Sequence, residues 1–236
     1  MTALRITEIF YSLQGESSRV GQPTVFIRLT GCPLRCGYCD TAYAFKGGTR
    51  KTISNILTEV AGYNASYSSH LHNGEQADNN ADHLNTKRMC VCVTGGEPLA
   101  QPECFSLLTQ LCDAGYQVSL ETSGAMDIAQ VDPRVLIVMD IKTPDSLESD
   151  KNLWSNIAFL KPSDEVKFVL CSRADYDWAC KIMVEHHLIQ RVQVLFSSSW
   201  EQLTATQLAD WIVSDRLPVR FQVQLHKYLW CDVAGR

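Results

Sequence analysis

Met89-Cys90-Val91-Cys92-Val93 is an unbroken apolar run that stops at Thr94-Gly95-Gly96-Glu97-Pro98-Leu99. Five apolar residues without polar alternation predict a strand covered on both faces, as in a parallel sheet. Two glycines at its end let a backbone approach a ligand closely, and Pro98 stops the ladder. Similar runs predict strands at residues 116–120, 135–139, 165–170 and 191–196. Looser alternation predicts further strands at 5–12, 24–30 and 220–225. Apolar residues at helical spacing predict helices over 51–63, 105–114, 176–187 and 204–214, with Gly115 closing the second and Thr204 capping the last. Strands alternating with helices imply parallel βα units. The helices are too few for an eightfold barrel. The expectation is therefore an α/β fold, an open partial (βα) barrel, in one domain over residues 1–236.

Ligands of such sheets bind where the strands end. Polar or glycine-rich ends recur at Cys32, Thr94, Glu121, Lys142 and Ser197. One site should therefore gather cysteines, glycines, hydroxyls and a lysine.

The first of these ends carries the most specific chemistry. Thr30-Gly31-Cys32-Pro33-Leu34-Arg35-Cys36-Gly37-Tyr38-Cys39-Asp40-Thr41 places three cysteines within eight residues, spaced C-x3-C-x2-C. Thiolates hold iron–sulfur clusters and zinc. A structural zinc takes four ligands, and the local count stops at three. A four-iron cube held by three thiolates leaves one iron open to substrate or cofactor. A zinc knuckle or an incidental cysteine cluster is the competing reading. Cys90 and Cys92 read as small core residues.

In the strand at 24–30, period two puts Thr24, Phe26, Arg28 and Thr30 on one face and Val25, Ile27 and Leu29 on the other. A charge at Arg28 is costly there unless paired. Arg28 either reaches solvent or a structural carboxylate at a strand edge, or points a guanidinium into the barrel at a substrate carboxylate. Residues 63–87 are polar and poor in large apolar side chains, which predicts a mobile loop or insertion. His70, His72 and His83 within it read as solvated loop histidines.

The chain's 236 residues carry a net charge of −5 with no basic run, so nothing points to nucleic acid. No apolar stretch approaches membrane-spanning length. The N-terminus shows no charged segment followed by an apolar core. The ten cysteines are scattered through a mid-sized chain, which favours a reducing cytoplasm over a disulfide framework.

The cysteine motif with its aromatic residue, together with Gly-Gly-Glu-Pro, resembles the radical S-adenosylmethionine (SAM) enzymes. Leu13-Gln14-Gly15-Glu16, Cys39-Asp40-Thr41, Thr94 and the terminal Gln224-Leu225-His226-Lys227-Tyr228 narrow the resemblance to the 7-carboxy-7-deazaguanine synthases. It covers most of the chain outside the polar insertion. The resemblance implies conversion of 6-carboxy-5,6,7,8-tetrahydropterin to 7-carboxy-7-deazaguanine with loss of ammonia, on the route to queuosine and related deazapurines. It implies a 4Fe–4S cluster on Cys32, Cys36 and Cys39, SAM, and Mg²⁺ with Thr41 as an oxygen ligand. Tyr38, Cys39, Asp40, Gly96, Ser123, Asp140, Ile141, Lys142, Phe196, Ser197, Ser198 and Ser199 would line the SAM site. Leu13, Gln14, Gly15 and Glu16 would read the pterin's amide and amino edge, Arg28 its carboxylate, and Thr94 and His226 the substrate. The terminal carboxylate of Arg236 would close the pocket. An electron donor such as flavodoxin and a homodimer are implied by the family alone. A glycyl-radical-enzyme activase shares the cysteine spacing and Gly-Gly-Glu-Pro but leaves Leu13 to Glu16 unexplained. A non-catalytic metal-binding module is the reading from another class.

Overall fold

The computed structural model describes residues 2–71, 89–200, 202–231 and 233. Among the described residues, nine strands form one sheet in the order β3-β1-β2-β4-β5-β6-β7-β8-β9. The chain enters through β1 (Ala3–Leu13), which pairs antiparallel with both β2 (Pro23–Leu29) and β3 (Thr49–Thr52). From β2 the sheet is parallel through β4 (Cys90–Gly95), β5 (Gln117–Thr122), β6 (Leu136–Asp140), β7 (Glu165–Leu170), β8 (Gln193–Ser198) and β9 (Arg220–Gln222). The outer strands β3 and β9 do not pair, so the barrel is partial, as the helix count predicts.

Period two divides β2 as the sequence indicates. Val25, Ile27 and Leu29 are fully buried in the apolar core. That core continues under α1 (Ile53–Leu71), α2 (Glu103–Asp113), α3 (Arg173–Glu185) and α4 (Ala205–Ser214). Phe26 and Arg28 face the concave side, and the register sets them beside Cys92 and Thr94 of β4. Cys90 and Cys92 are buried core residues.

Caps set three of the helix boundaries. Thr204 accepts from Gln207 N as expected, and Ser172 accepts from Asp175 N, which starts α3 at Arg173 rather than at 176. Gly115, at φ +87°, ends α2. Helix α1 starts after the short strand β3 and continues through Leu71, so residues 64–71 are helical where a loop was expected. The rest of the expected insertion, with His72 and His83, lies outside the described residues. Among the described residues no α-helix joins β5 to β6 or β6 to β7: an irregular loop makes the first connection and three short 3₁₀ turns the second, and the buried Asn156 amide ties them together by donating to the carbonyls of Gly124 and Met126. The last strand stops at Gln222, not 225, and α5 (Leu225–Trp230) follows. Tertiary contact overrides the alternation there: Leu225 N donates to Gly15 O at 3.0 Å and pulls the chain off the sheet.

The segment joining β1 to β2 crosses beneath the strand starts. Ser18 N donates to the Glu165 carboxylate at the start of β7, Arg19 to Gln117 O at the start of β5, and Ser17 N to Gln222 Oε1 of β9. It bridges the gap between the first and last strands and gives the barrel a floor. Among the described residues no helix is long and apolar enough to cross a membrane.

Candidate active site

The cysteine loop leaves β2 through Gly31, at φ +98°, and is clamped to the end of β4. Gly96 N donates to Leu29 O at 3.1 Å and Glu97 N to Gly31 O at 2.8 Å. The fit tolerates only glycine at two positions. A Cβ on Gly95 would lie 2.4 Å from Leu29 O, and one on Gly96 would lie 2.3 Å from Gly31 O. Glu97 fixes the clamp from behind. Its fully buried carboxylate accepts from Leu99 N, Thr122 Oγ1, Ser123 N and Ser123 Oγ. The buried charge is thereby satisfied, as burial requires.

Cys32, Cys36 and Cys39 are free thiols at the rim of a cavity of about 470 Å³. Burial pushes the Cys36 thiol up to about 11 and raises that of Cys32, with the Lys142 ammonium opposing both shifts. Among the described residues no three His, Cys, Asp or Glu side chains converge to hold one ion. A four-iron cube would take one thiolate on each of three irons.

Below the rim runs a chain of charges. Glu16, raised from the floor, pairs with Lys167 Nζ at 2.5 Å, and Lys167 lies 3.7 Å from Asp140. Asp140 pairs with Lys142 at 2.9 Å, and Lys142 sits 5.6 Å from the centre of the Tyr38 ring. Burial alone would raise the Glu16 carboxyl, but the Lys167 ammonium, with His226 and the Gln224 hydrogen bond, outweighs it and holds the group below its ordinary value. Burial likewise opposes the charge on Lys167, and Glu16 and Asp140 together raise it.

Two further carboxylates orient their neighbours. Glu8 Oε1 accepts from Arg28 Nε and from the Tyr43 hydroxyl, each at 2.8 Å. Among the described residues the terminal guanidinium nitrogens make no bond, and the group lines the cavity. Arg28 thus rests on a structural carboxylate, as one reading has it, while facing into the cavity. Glu121 accepts from Thr94 Oγ1 at 3.1 Å and Gln14 Nε2 at 3.2 Å. At the mouth, Gln224 Nε2 bridges Glu16 and Asp40, and Thr41 Oγ1 donates to Asp40 Oδ1 at 2.8 Å.

The cavity gathers Leu13, Gln14, Gly15, Glu16, Arg28, Thr94 and His226 with Tyr38, Asp40, Thr41, Gly96, Ser123, Asp140, Lys142 and Ser199, all expected from sequence. His226 presses on Gly15 so closely that a Cβ there would lie 2.2 Å from its Nδ1. Three expected side chains are elsewhere. Ile141 and Phe196 are buried in the apolar core, Phe196 edge-on to Phe168 and Tyr176. Ser198 shares Phe196's side of β8, since alternate residues face opposite ways. Ser197 is buried on the concave side, level with Val169 and Gln222. Arg236 lies outside the described residues.

Lys167 and Glu8 are not flagged by the sequence, and Glu121 is flagged only as a polar strand end, although the argument that flags Arg28 applies to all three. Lys167 is a charge in a strand buried at every position, and such a charge must have a partner.

The donor set can be tested against the expected cofactors. Tyr38 Oη, Asp140 Oδ1 and Ser197 Oγ are buried without a partner among the described residues. Buried polar atoms rarely stay unsatisfied. Their place around the cavity beside three cysteines fits a polar cofactor such as SAM next to an iron–sulfur cluster.

The comparisons agree with this geometry. Residues 26–145 match the radical SAM superfamily, from the middle of β2 past the end of β6. The 7-carboxy-7-deazaguanine synthase of Chlorobaculum tepidum is 42% identical over 96% of this chain and 94% of its own length. That of Koribacter versatilis is 36% identical over 96% of this chain and 97% of its own. The fold is similar to the crystal structure of QueE from Escherichia coli, with a TM-score of 0.65 over 96% of each chain at 18% identity. With near-full-length relatives of one description and the cysteine loop inside the matched region, the chain belongs to the 7-carboxy-7-deazaguanine synthase family of radical SAM enzymes.

Proposed function

We propose that the chain converts 6-carboxy-5,6,7,8-tetrahydropterin to 7-carboxy-7-deazaguanine with release of ammonia. One observation carries the reading beyond family membership. A single cavity holds an arginine braced by Glu8 and a carboxylate braced by Lys167, with the cysteine loop at its rim. The substrate has the matching pair of features, a carboxylate and an edge of adjacent N–H donors.

In this reading Arg28 takes the substrate carboxylate through its free terminal nitrogens, a geometry suited to a bidentate bond. Glu16 accepts from the amide and amino groups of the ring. Gln14 and Thr94, both held by Glu121, set the height of the ring above the floor. His226 flanks it from α5, packed on Gly15. Cys32, Cys36 and Cys39 hold the cluster, and Tyr38, Asp40, Gly96, Ser123, Asp140, Lys142, Ser197 and Ser199 surround SAM. When bound, the cluster supplies the electron that cleaves SAM, and SAM supplies the radical that abstracts hydrogen from the pterin. The protein's part is to fix the donor and acceptor positions and to keep water out, which is where orientation lowers barriers.

Thr41 and Asp40 offer hard oxygens at the mouth. Mg²⁺ binds through one or two protein oxygens and fills the rest of its shell from substrate and water. The pair would hold a magnesium ion, which would offset negative charge on the bound substrate. An electron donor such as flavodoxin, a homodimer and a cytoplasmic setting accompany the reading through the family alone.

The test is anaerobic reconstitution with iron and sulfide, followed by incubation with the pterin, SAM, Mg²⁺ and reductant. Mass spectrometry should find the deazaguanine acid. A fully loaded enzyme that returns the pterin unchanged refutes the assignment.

A further inference from the structure

Lys167 has no role in the reading so far beyond its partners, yet its position is costly. All six residues of β7 are buried. An ammonium moved out of water there costs several kcal/mol unless opposite charge meets it. Its two partners come from different walls. Glu16 rises from the floor at 2.5 Å, and Asp140 ends β6 at 3.7 Å with its Oδ1 left unpartnered.

Counting acceptor sites shows what this achieves. An ionised carboxylate offers about four lone-pair sites and no donor. Lys167 takes one on Glu16 Oε2, and Gln224 Nε2 takes one on Oε1 at 3.0 Å. Among the described residues one site then remains on each oxygen. Two adjacent acceptors are what a ring with neighbouring amide and amino N–H groups requires. A protonated Glu16 would turn one oxygen into a donor and lose that match.

We propose that Lys167 is the positioning residue that makes Glu16 a two-point reader of the substrate's donor edge, by turning its carboxylate and keeping it a pure acceptor. The proposal rests on the pterin reading of the cavity. Of the other charges around this pair, His226 from α5 acts on Glu16, Asp140 from β6 and Glu121 from β5 act on Lys167, and Asp40, itself paired with Lys227, lies across Gln224. Without Lys167 the burial of Glu16 would go largely uncompensated. Burial would then favour the protonated form of Glu16, and recognition would fail as pH falls.

The experiment measures pterin Kd by equilibrium dialysis on the reconstituted full chain with SAM present and reductant omitted, so that nothing turns over. Wild type, Lys167→Met, Lys167→Arg, Glu16→Gln and the double variant Glu16→Gln/Lys167→Met are compared from about pH 6 to about pH 9. The ratio of variant to wild-type Kd at each pH cancels ionisation of the ligand. For Lys167→Met the ratio should be about tenfold larger at the acid end than at the alkaline end, one pH-dependent decade being the effect of a single carboxyl shifted into this range. Lys167→Arg should restore a flat ratio. The double variant should bind no more weakly than Glu16→Gln alone. A flat ratio for Lys167→Met overturns the proposal, as does a double variant that adds the full penalty of both changes. Should Lys167→Met fail to fold, the double variant, which buries neither charge, still decides by the second comparison. Wild type that binds no pterin at all removes the pterin reading and this proposal together, a result distinct from a flat ratio.

Discussion

Replacing Gly96 by alanine tests whether the clamp between the cysteine loop and β4 sets the geometry of the reaction. The new methyl carbon would lie 2.3 Å from Gly31 O and 2.8 Å from Cys32 Cβ. Non-bonded carbons rest about 3.5–4.0 Å apart, so the loop carrying Cys32 must retreat by roughly 1 Å. Overpacking of this kind costs about 1–3 kcal/mol, which for a domain of this size lowers Tm by roughly 2–12 °C. The functional cost should be larger, because a misplacement of about 1 Å at a reacting centre costs on the order of a hundredfold. Gly62→Ala is the control. Gly62 sits exposed in α1 with nothing near its added Cβ, and alanine there should raise stability slightly. The assay combines iron content, the cluster's visible absorbance, SAM Kd and turnover. Gly96→Ala should retain iron while SAM binding weakens and turnover falls about a hundredfold. Wild-type SAM affinity and turnover in a folded Gly96→Ala protein would show that the loop has slack, and the close-packing argument would be wrong.

The other expectations follow from single contacts. Arg28→Met should weaken pterin binding by about 2–5 kcal/mol, the cost of truncating one side of a desolvated charge pair; a fall in SAM affinity instead would move Arg28 to the other ligand. Glu8→Ala should raise the pterin KM by a smaller factor, about tenfold, because Arg28 keeps its charge and loses only its Nε anchor; an unchanged KM would mean that Tyr43 and packing suffice. Cys36→Ala should abolish the brown iron–sulfur absorbance, and a full cluster in that variant contradicts the ligand set. Thr41→Ala should blunt the response of the rate to added Mg²⁺, while an identical magnesium titration excludes the hydroxyl from the metal site.

Much of this was legible in the chain because two signals are local. The apolar run at 89–93 and its glycine stop announce a buried parallel strand whatever surrounds it. The cysteine spacing specifies its own loop. What escaped depends on partners far away in sequence. Glu97 reads as one letter of a turn, yet its carboxylate ties β4 to β5 through Thr122 and Ser123. Lys167 reads as one polar letter in an apolar strand, and its meaning appears only when Glu16, 151 residues earlier, is brought to it. The segment 196–199 was read as four contacts in a row, but a strand can present only every second residue, and Phe196 accordingly went to the core. The end of β9 was misjudged for a similar reason. Alternation persists to 225, but the bond from Leu225 N to Gly15 O is invisible until the floor is in place.

That floor explains why the antiparallel first strand matters. In a parallel sheet the pocket is built by the loops that follow the strands, so it is lined from above. Because β1 runs against β2, with Leu13 opposite Pro23, its far end emerges among the strand starts. The following loop is anchored there by Glu165 and Gln117 and lifts Gln14 and Glu16 into the barrel from below. The cysteines and Gly-Gly-Glu-Pro occupy the opposite end. In the proposed reading Gln14 and Glu16 therefore reach the substrate from the floor, Arg28 and Thr94 reach it from the walls, and the cofactors are held at the opposite end. This arrangement also accounts for the sequence pattern: the cysteine motif and Gly-Gly-Glu-Pro, at one end, carry the likeness to the superfamily, and Leu13 to Glu16, with Cys39-Asp40-Thr41, Thr94 and Gln224 to Tyr228, narrow it.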